Sequence, residues 1–484
     1  MFEPKRLHPI SAVINFVKGL KDAILPILAV IFLNGGFRSG SIEWIPLMVT
    51  AGFLLLLLIG GIVRWLRFTY RMEEGELRIE YGLFFRKKRY IPIERIQSLD
   101  YSEGIFHRPF QLVKVSVETA GSSGDQKAEA ELTAITREEA DQLEALIYEH
   151  KGGTGVQIEE GEEATEFTPA EPKRTKVFEM KMKEIVLMAV TSGGAGVVLS
   201  GVVVFFSQFM DVLPIGRIYG QVVDWIQVGV LIIAFSVLII LVIAYGISIL
   251  LTILRYANFQ VNIMEDDLIL TRGWLEKKQT TIPLNRIQGI RIDENLIRQP
   301  IGYASVTIIS AGGSALKGDE HQLRVLPLIK KSQIGNVLHH ILSDYEMAES
   351  LVRPPRRSMI RYMIRQSWLF WLAVIPISYF FYPFGLLSLI VALLATGLGW
   401  LCYKDAGFNI TDKQLTLQTR TFIKQTYLMK KHRIQAASLM QTVLQQRVQL
   451  GGVRVSLKSG VGGAVATCMY LNQEDAERVL VWYK

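Results

Sequence analysis

The stretch IPIERIQSLD at residues 91–100 holds a triplet, Arg-Ile-Gln, that returns in IPLNRIQGIR at 282–291 and in MKKHRIQAAS at 429–438. From the leucine upstream of each triplet, LRIEYGLFFRKKRYIPIERIQ (77–97), LILTRGWLEKKQTTIPLNRIQ (268–288) and LTLQTRTFIKQTYLMKKHRIQ (415–435) align without a gap. Downstream, VSVETAG (115–121) and VTIISAG (306–312) keep the register, and VRVSLKSG (453–460) follows after one inserted residue. The chain is a threefold duplication, and the repeat sets the domain plan.

The triplet marks a change of backbone shape. Before it, apolar side chains alternate at Ile91 and Ile93; after it they fall three apart, at Ile96 and Leu99, and Leu284, Ile287 and Ile290 repeat the pattern. A shift from spacing two to spacing three predicts that the strand ends in a bend or single helical turn. The isoleucine then enters the core, while the arginine and glutamine project outward or cap backbone carbonyls.

Half of the 484 residues are apolar and mean hydropathy is positive, which points to membrane spans. Apolar runs precede each repeat: 12–33 and 44–66, then 184–210 and 225–251, then 367–402, which divides at Tyr382-Pro383-Phe384-Gly385. The first four are long enough to cross about 30 Å of hydrocarbon; the last two are short, so a re-entrant hairpin is the rival reading there. Lysine and arginine cluster on the repeat side of each pair, while the short connections within pairs carry only Arg38 and Arg217. That asymmetry predicts termini and repeats on the cytoplasmic side. The net charge of +8 is then a topology signal and needs no nucleic acid. Two cysteines, Cys402 and Cys468, make neither a disulfide framework nor a zinc site.

Each repeat reads as strands ending in a capped helix, over 136–150, 330–345 and 472–484, with Thr136 and Asn472 as N-caps. A transmembrane pair, then Gly82-Leu83 or Gly273-Trp274 after the first strand, then Ile-Pro-x-x-Arg-Ile-Gln (Ile91 to Gln97, Ile282 to Gln288), resembles the bacterial pleckstrin-homology domain of the second type, bPH2. The resemblance covers essentially the whole chain. It implies a pleckstrin-homology-like split barrel and a partner: a short bPH2-domain membrane protein with its own membrane pair. In the third copy Arg420 replaces the turn glycine and Lys430 the proline, so its first hairpin must turn differently.

The expected architecture is an α+β membrane protein: six transmembrane helices in three hairpins and three cytosolic split β-barrels, each closed by a C-terminal helix. The hairpins occupy 1–70, 183–254 and 367–403, and the bPH2-like domains 71–150, 255–346 and 404–484. An acidic linker, 151–182, and a basic linker, 347–366, separate the units.

Three sets of residues are candidates for function. Arg95, Gln97, Arg286, Gln288, Arg433 and Gln435 either secure the corner, form contacts between repeats or with a partner's equivalent domain, or bind a lipid headgroup directly. Arg86, Lys87, Lys88 and Arg89, with Lys277 and Lys278, form basic hairpins suited to anionic lipid, each cation near the surface contributing about 1 kcal/mol. Ser192, Gly196 and Ser200 make a small-residue stripe for helix packing, as do Ala395 and Gly399.

Catalytic signals are missing. The seven histidines are scattered, and adjacent His339 and His340 cannot share a metal on one helix face. No phosphate-cradling loop, HExxH or G-x-S-x-G is present, and no cofactor is implied. The sequence reads as a non-enzymatic, multi-pass assembly platform of the bacterial inner membrane, with membrane stress or resistance to membrane-active antimicrobial peptides as the expected role. The alternative is a lipid transporter or scramblase using the barrels or an interspan groove.

Overall fold

The computed structural model of the protein describes residues 4–33, 44–82, 85–119, 129–152, 175–192, 226–311, 323–382, 384–459 and 463–484. The acidic segment 153–174 and the positions Gly196 and Ser200 lie outside the described residues.

The first repeat contains β1 (Lys5–Arg6), β2 (Thr69–Glu73), β3 (Glu76–Tyr81), β4 (Lys87–Pro92), β5 (Ile96–Glu103), β6 (Leu112–Thr119) and β7 (Ala130–Thr136). Its helices are α1 (Ile10–Leu33) and α2 (Trp44–Leu66), between β1 and β2, and α3 (Arg137–Gly152). The second contains β8 (Thr175–Glu179), β9 (Gln260–Met264), β10 (Asp267–Arg272), β11 (Lys277–Pro283), β12 (Ile287–Glu294), β13 (Tyr303–Ser310) and β14 (Leu323–Lys330), with α4 (Met182–Thr191), α5 (Ile226–Tyr256) and α6 (Lys331–Ile341). The third contains β15 (Gly407–Ile410), β16 (Gln414–Arg420), β17 (Lys424–Lys430), β18 (Ile434–Met440), β19 (Leu450–Leu457) and β20 (Ala464–Asn472). Its helices are α7 (Met359–Phe380), α8 (Leu387–Asp405), α9 (Val443–Gln446) and α10 (Gln473–Tyr483).

The bend at the repeated triplet is one 3-10 turn in every copy: Ile93–Arg95, Leu284–Arg286 and Lys431–Arg433. Pro92 and Pro283 enter it at φ −58° and −62°, the value the pyrrolidine ring imposes, and Lys430 adopts a similar φ of −79° without that constraint. Ile96, Ile287 and Ile434 then bury their side chains. At the glutamine the ladder slips: pairing with the next strand shifts between Ile96 and Ser98, Ile287 and Gly289, and Ile434 and Ala436. A bulge bends the strand and increases its twist, so turn and bulge together carry the chain from the first half-sheet of a repeat into the second.

Three cores follow the repeats. Leu77, Ile91, Ile96, Val115 and Leu132 anchor the first, Leu268, Ile290, Val306 and Leu326 the second, and Leu417, Ile434, Val455 and Leu471 the third. Each core draws on both halves of its repeat and on the helix that follows it, through Leu143, Leu338 and Val479. Thr136 and Glu139 form a reciprocal capping box at α3, both bonds 3.2 Å. Asn472 sits at the N-cap of α10, but its side chain accepts from Arg357 instead of capping.

The hydrogen-bonded sheets do not follow the repeats. They run β1-β2-β3-β4, β7-β6-β5-β11-β10-β9-β8, β14-β13-β12-β17-β16-β15 and β18-β19-β20. The second half of one repeat is thus continuous with the first half of the next. Each repeat also gains an edge from the segment before its helices: β1 pairs with β2, β8 with β9, and Val352 bridges to Phe408. Thr175–Glu179, within a stretch that reads as a linker, therefore belongs to a sheet, and Val352, within the other, makes an isolated bridge to one.

Among the described residues, Ile239–Tyr256 and Leu387–Asp405 are long and apolar enough to cross a membrane. Helix α7 has 22 residues, about 33 Å at the usual rise, and packs against α8. Gly399 permits that approach, since a Cβ there would lie 2.6 Å from the Met363 Cα. The apolar run at 184–210 is partly committed elsewhere: Ile185, Met188 and Ala189 are buried, the first two within the second core. Helix α4 ends at Thr191, and the Ser192 hydroxyl bonds back to the Ala189 carbonyl at 2.9 Å with extended backbone.

Candidate interaction surface

The two sheet junctions bring the triplet corners beside neighbouring repeats. At the first, β5 and β11 pair Glu103 with Lys277, Ser102 with Lys278 and Tyr101 with Gln279. The Thr281 amide donates to the Asp100 carboxylate at 3.2 Å, and the Ser102 hydroxyl to Glu276 at 2.7 Å. Burial, reinforced by Glu118, pushes the Asp100 carboxyl well above the usual range against the pull of the Thr281 amide and Lys278.

The second junction is longer. β12 and β17 pair from Gly289 with Met429 to Glu294 with Lys424. Lys424 Nζ lies 3.1 Å from the Glu294 carboxylate, their side chains 10% and 6% exposed, and Gln425 donates to Asp293 at 3.2 Å. Gly289 is demanded by the closeness: a Cβ there would lie 2.8 Å from the Leu457 side chain and 3.1 Å from the Leu428 carbonyl.

The triplet arginines divide by repeat. Arg433 donates to the Asn285 carbonyl at 2.9 Å, from the third repeat into the second. Arg286 is held below its ordinary pKa by burial, with Glu118 of the first repeat and Asp267 pulling the other way. Arg95 is exposed. Gln288 is buried and donates to the Arg286 carbonyl at 3.0 Å; Gln435 is exposed, and the Gln97 side chain lies outside those described.

The basic hairpin of the first repeat is exposed from Phe85 to Tyr90. Arg86 bonds Glu80, Lys88 lies 3.4 Å from the same carboxylate, and Arg89 reaches the Glu129 carbonyl. Burial raises the Glu80 pKa, but Arg86 and Lys88 outweigh it and hold the carboxyl below its ordinary value. A cavity of about 220 Å3 opens beside this hairpin, lined by Thr69, Tyr70, Arg71, Arg78, Glu80 and Arg86. Its arginines are already partnered: Arg78 by Glu73, Glu74 and Glu76, and Arg71 by Glu73. An anionic headgroup would compete with fixed carboxylates there. Lys277 and Lys278 lie on the strand that meets β5.

Two buried arginines escaped the sequence reading as site residues. Arg420 is buried and bonds Asp405 at the end of α8 and Gln299 of the second repeat. Arg298 donates to Thr191 Oγ1 at 2.9 Å and to the Met188 carbonyl at 3.3 Å, which completes the end of α4; burial first, then Arg324, brings its pKa down to about 10. Among the described residues no group of three or more His, Cys, Asp or Glu is placed to hold a metal. Both cysteines are free, and burial pushes the Cys468 thiol up to about 12, away from nucleophilic reactivity.

The arrangement defines a protein built from three pleckstrin-homology-like units that join by sheet edges beside apolar helices. The chain belongs to the bacterial PH domain family, whose profile matches at 23–151, 218–344 and 368–484. It is 36% identical over 490 residues, covering 100% of this chain and 98% of the relative, to the UPF0699 transmembrane protein YdbT of Bacillus subtilis (strain 168).

Proposed function

We propose that the protein is a non-enzymatic assembly platform of the bacterial inner membrane, anchored by six spans in three hairpins with termini and repeats in the cytoplasm, and that it forms a complex with a short bPH2-domain membrane protein. The observation that carries this reading is the edge-to-edge joining of the repeats: each junction mates a second-half strand with a first-half strand, a head-to-tail contact that never closes on itself. Such joining extends to a further domain without new chemistry.

The loop after each triplet strand supports placement at a membrane surface. It carries exposed apolar pairs at equivalent positions: Ile105 and Phe106, Leu296 and Ile297, Val443 and Leu444. The same loops touch the helix ends nearby, with His8 before α1 against Phe110, Arg298 on the C-terminal end of α4 and Arg357 before α7 on the Gln449 carbonyl. Apolar side chains at that level suit the headgroup layer.

Purification of tagged protein from its native host in nanodiscs, with mass spectrometry of what is retained, tests the reading. A stoichiometric short membrane protein supports it; one enriched lipid and no protein moves the function to lipid handling. The proposed physiological role is membrane stress or resistance to membrane-active antimicrobial peptides. A deletion strain that survives a panel of such peptides as well as its parent removes that role.

A further inference from the structure

We infer that the open edge of β4 is the docking site for a strand of a separate protein with carboxylates near its C-terminal end, and not for a second copy of this chain. The inference rests on the assembly reading above and adds the surface, the register and the partner's chemistry.

Among the described residues, three repeats joined head to tail leave two edges of the kind used at the junctions unpaired, those of β4 and β18. In the second and third repeats the strand before the triplet, β11 or β17, is paired on its outer side by β5 or β12. In the first repeat the equivalent strand is β4, and among the described residues only β3 pairs with it. At the other end, β18 is equivalent to β5 and β12, and among the described residues only β19 pairs with it.

Both internal junctions use one pattern of charge. In register, the cation of the strand before the triplet stands opposite a carboxylate of the strand after it: Lys277 opposite Glu103, and Lys424 opposite Glu294, where the two side chains also form an ion pair. Asp100 and Asp293 add carboxylates at positions that are not equivalent. In the gap-free alignment Arg86 stands at the place of Lys277 and Lys424, and Lys87 at that of Lys278. Tyr90 stands at the place of Thr281, whose amide binds the Asp100 carboxylate. Lys87 has no hydrogen-bond or ion-pair partner among the described residues, so β4 offers cations and a backbone edge in the register that carboxylates fill elsewhere.

Lysines on an edge strand often serve only to discourage aggregation. That explanation fails for β11 and β17, which carry cations at the same positions and are paired. A second copy is disfavoured by β18 itself. Its places for Asp100, Ser102 and Glu103 hold Ser438, Met440 and Gln441, and it is the one triplet strand with no charged residue. Laid against β4 it would set Arg86 and Lys87, the latter unpartnered among the described residues, opposite none of the carboxylates that both internal junctions use.

Photo-crosslinking in native-host membranes tests this, with p-benzoylphenylalanine in place of Tyr90 in the full-length protein. The expected adduct joins Tyr90's position to a triplet-type strand of a different chain bearing a carboxylate in its last positions. Arg86→Glu with Lys87→Glu, both on the exposed hairpin, lowers adduct yield about tenfold, and changing the captured carboxylate to lysine restores it. A melting curve unchanged by the double variant shows that the fold is intact. An adduct to β18 of another copy, or to lipid alone, overturns the inference. No adduct although a short membrane protein still co-purifies overturns the edge and leaves the assembly reading standing; no adduct and no co-purifying chain removes both.

Discussion

Arg433 donates a hydrogen bond to the Asn285 carbonyl at 2.9 Å, linking the triplet of the third repeat to the 3-10 turn that leads into the triplet of the second at Arg286. The bond is surface-exposed, so Arg433→Ala is expected to cost about 1 kcal/mol and to loosen the junction more than either core. Thermal melting with limited proteolysis checks this; cleavage within the third repeat's core instead of at the junction would show that the arginine serves its own repeat.

The Lys424–Glu294 pair is the internal precedent for the charge pattern. Both side chains are nearly buried and 3.1 Å apart, with Lys331 a further 3.4 Å neighbour of Glu294. Removing one member strands a buried charge, so Glu294→Ala is expected to destabilise by roughly 3 kcal/mol. A chemical-denaturation series that places the loss below 1 kcal/mol would contradict the junction described here.

Asp100 makes the first junction pH-sensitive. Its folded pKa is raised, so its contribution to stability is fully present below the ordinary carboxylate pKa and is lost as pH rises through the raised value. Asp100→Asn, which keeps an oxygen for the Thr281 amide, is expected to raise the melting temperature more at pH 8 than at pH 5. Equal shifts at both values would remove the titration argument.

Gly273 holds φ +101°, and a Cβ there would lie 2.1 Å from the Glu276 carbonyl oxygen. Gly273→Ala is therefore expected to cost about 2 kcal/mol or more, read by urea denaturation. The third repeat avoids the constraint because β16 and β17 continue to the pair Arg420 with Lys424 and turn over three residues, which frees Arg420 to bind Asp405 and Gln299.

Much of this was legible from residues alone. Spacing changed at Ile91, Ile93, Ile96 and Leu99 because the backbone changes there from strand to turn to bulged strand, and side-chain periodicity reports backbone shape directly. Which edge meets which was not legible, because sheet pairing between repeats depends on how folded units sit together. One signal was present: a cation at Arg86, Lys277 and Lys424 and a carboxylate at Glu103 and Glu294, with Gln441 breaking the series. Ile185 and Met188 misled for another reason. An apolar helix face has the same composition whether it meets lipid or a β-sheet core.

Hydrogen exchange at β4 tests the central claim most directly. Peptides covering Arg86–Ile91, β11 and β17 would be compared in protein purified alone and in protein drawn from native membranes with its companions. Alone, β4 should exchange fast while β11 and β17 are protected; in the native assembly, β4 should become protected to their level. If β4 still exchanges freely while a short membrane protein is bound in stoichiometric amount, edge-to-edge extension is wrong and the partner docks elsewhere.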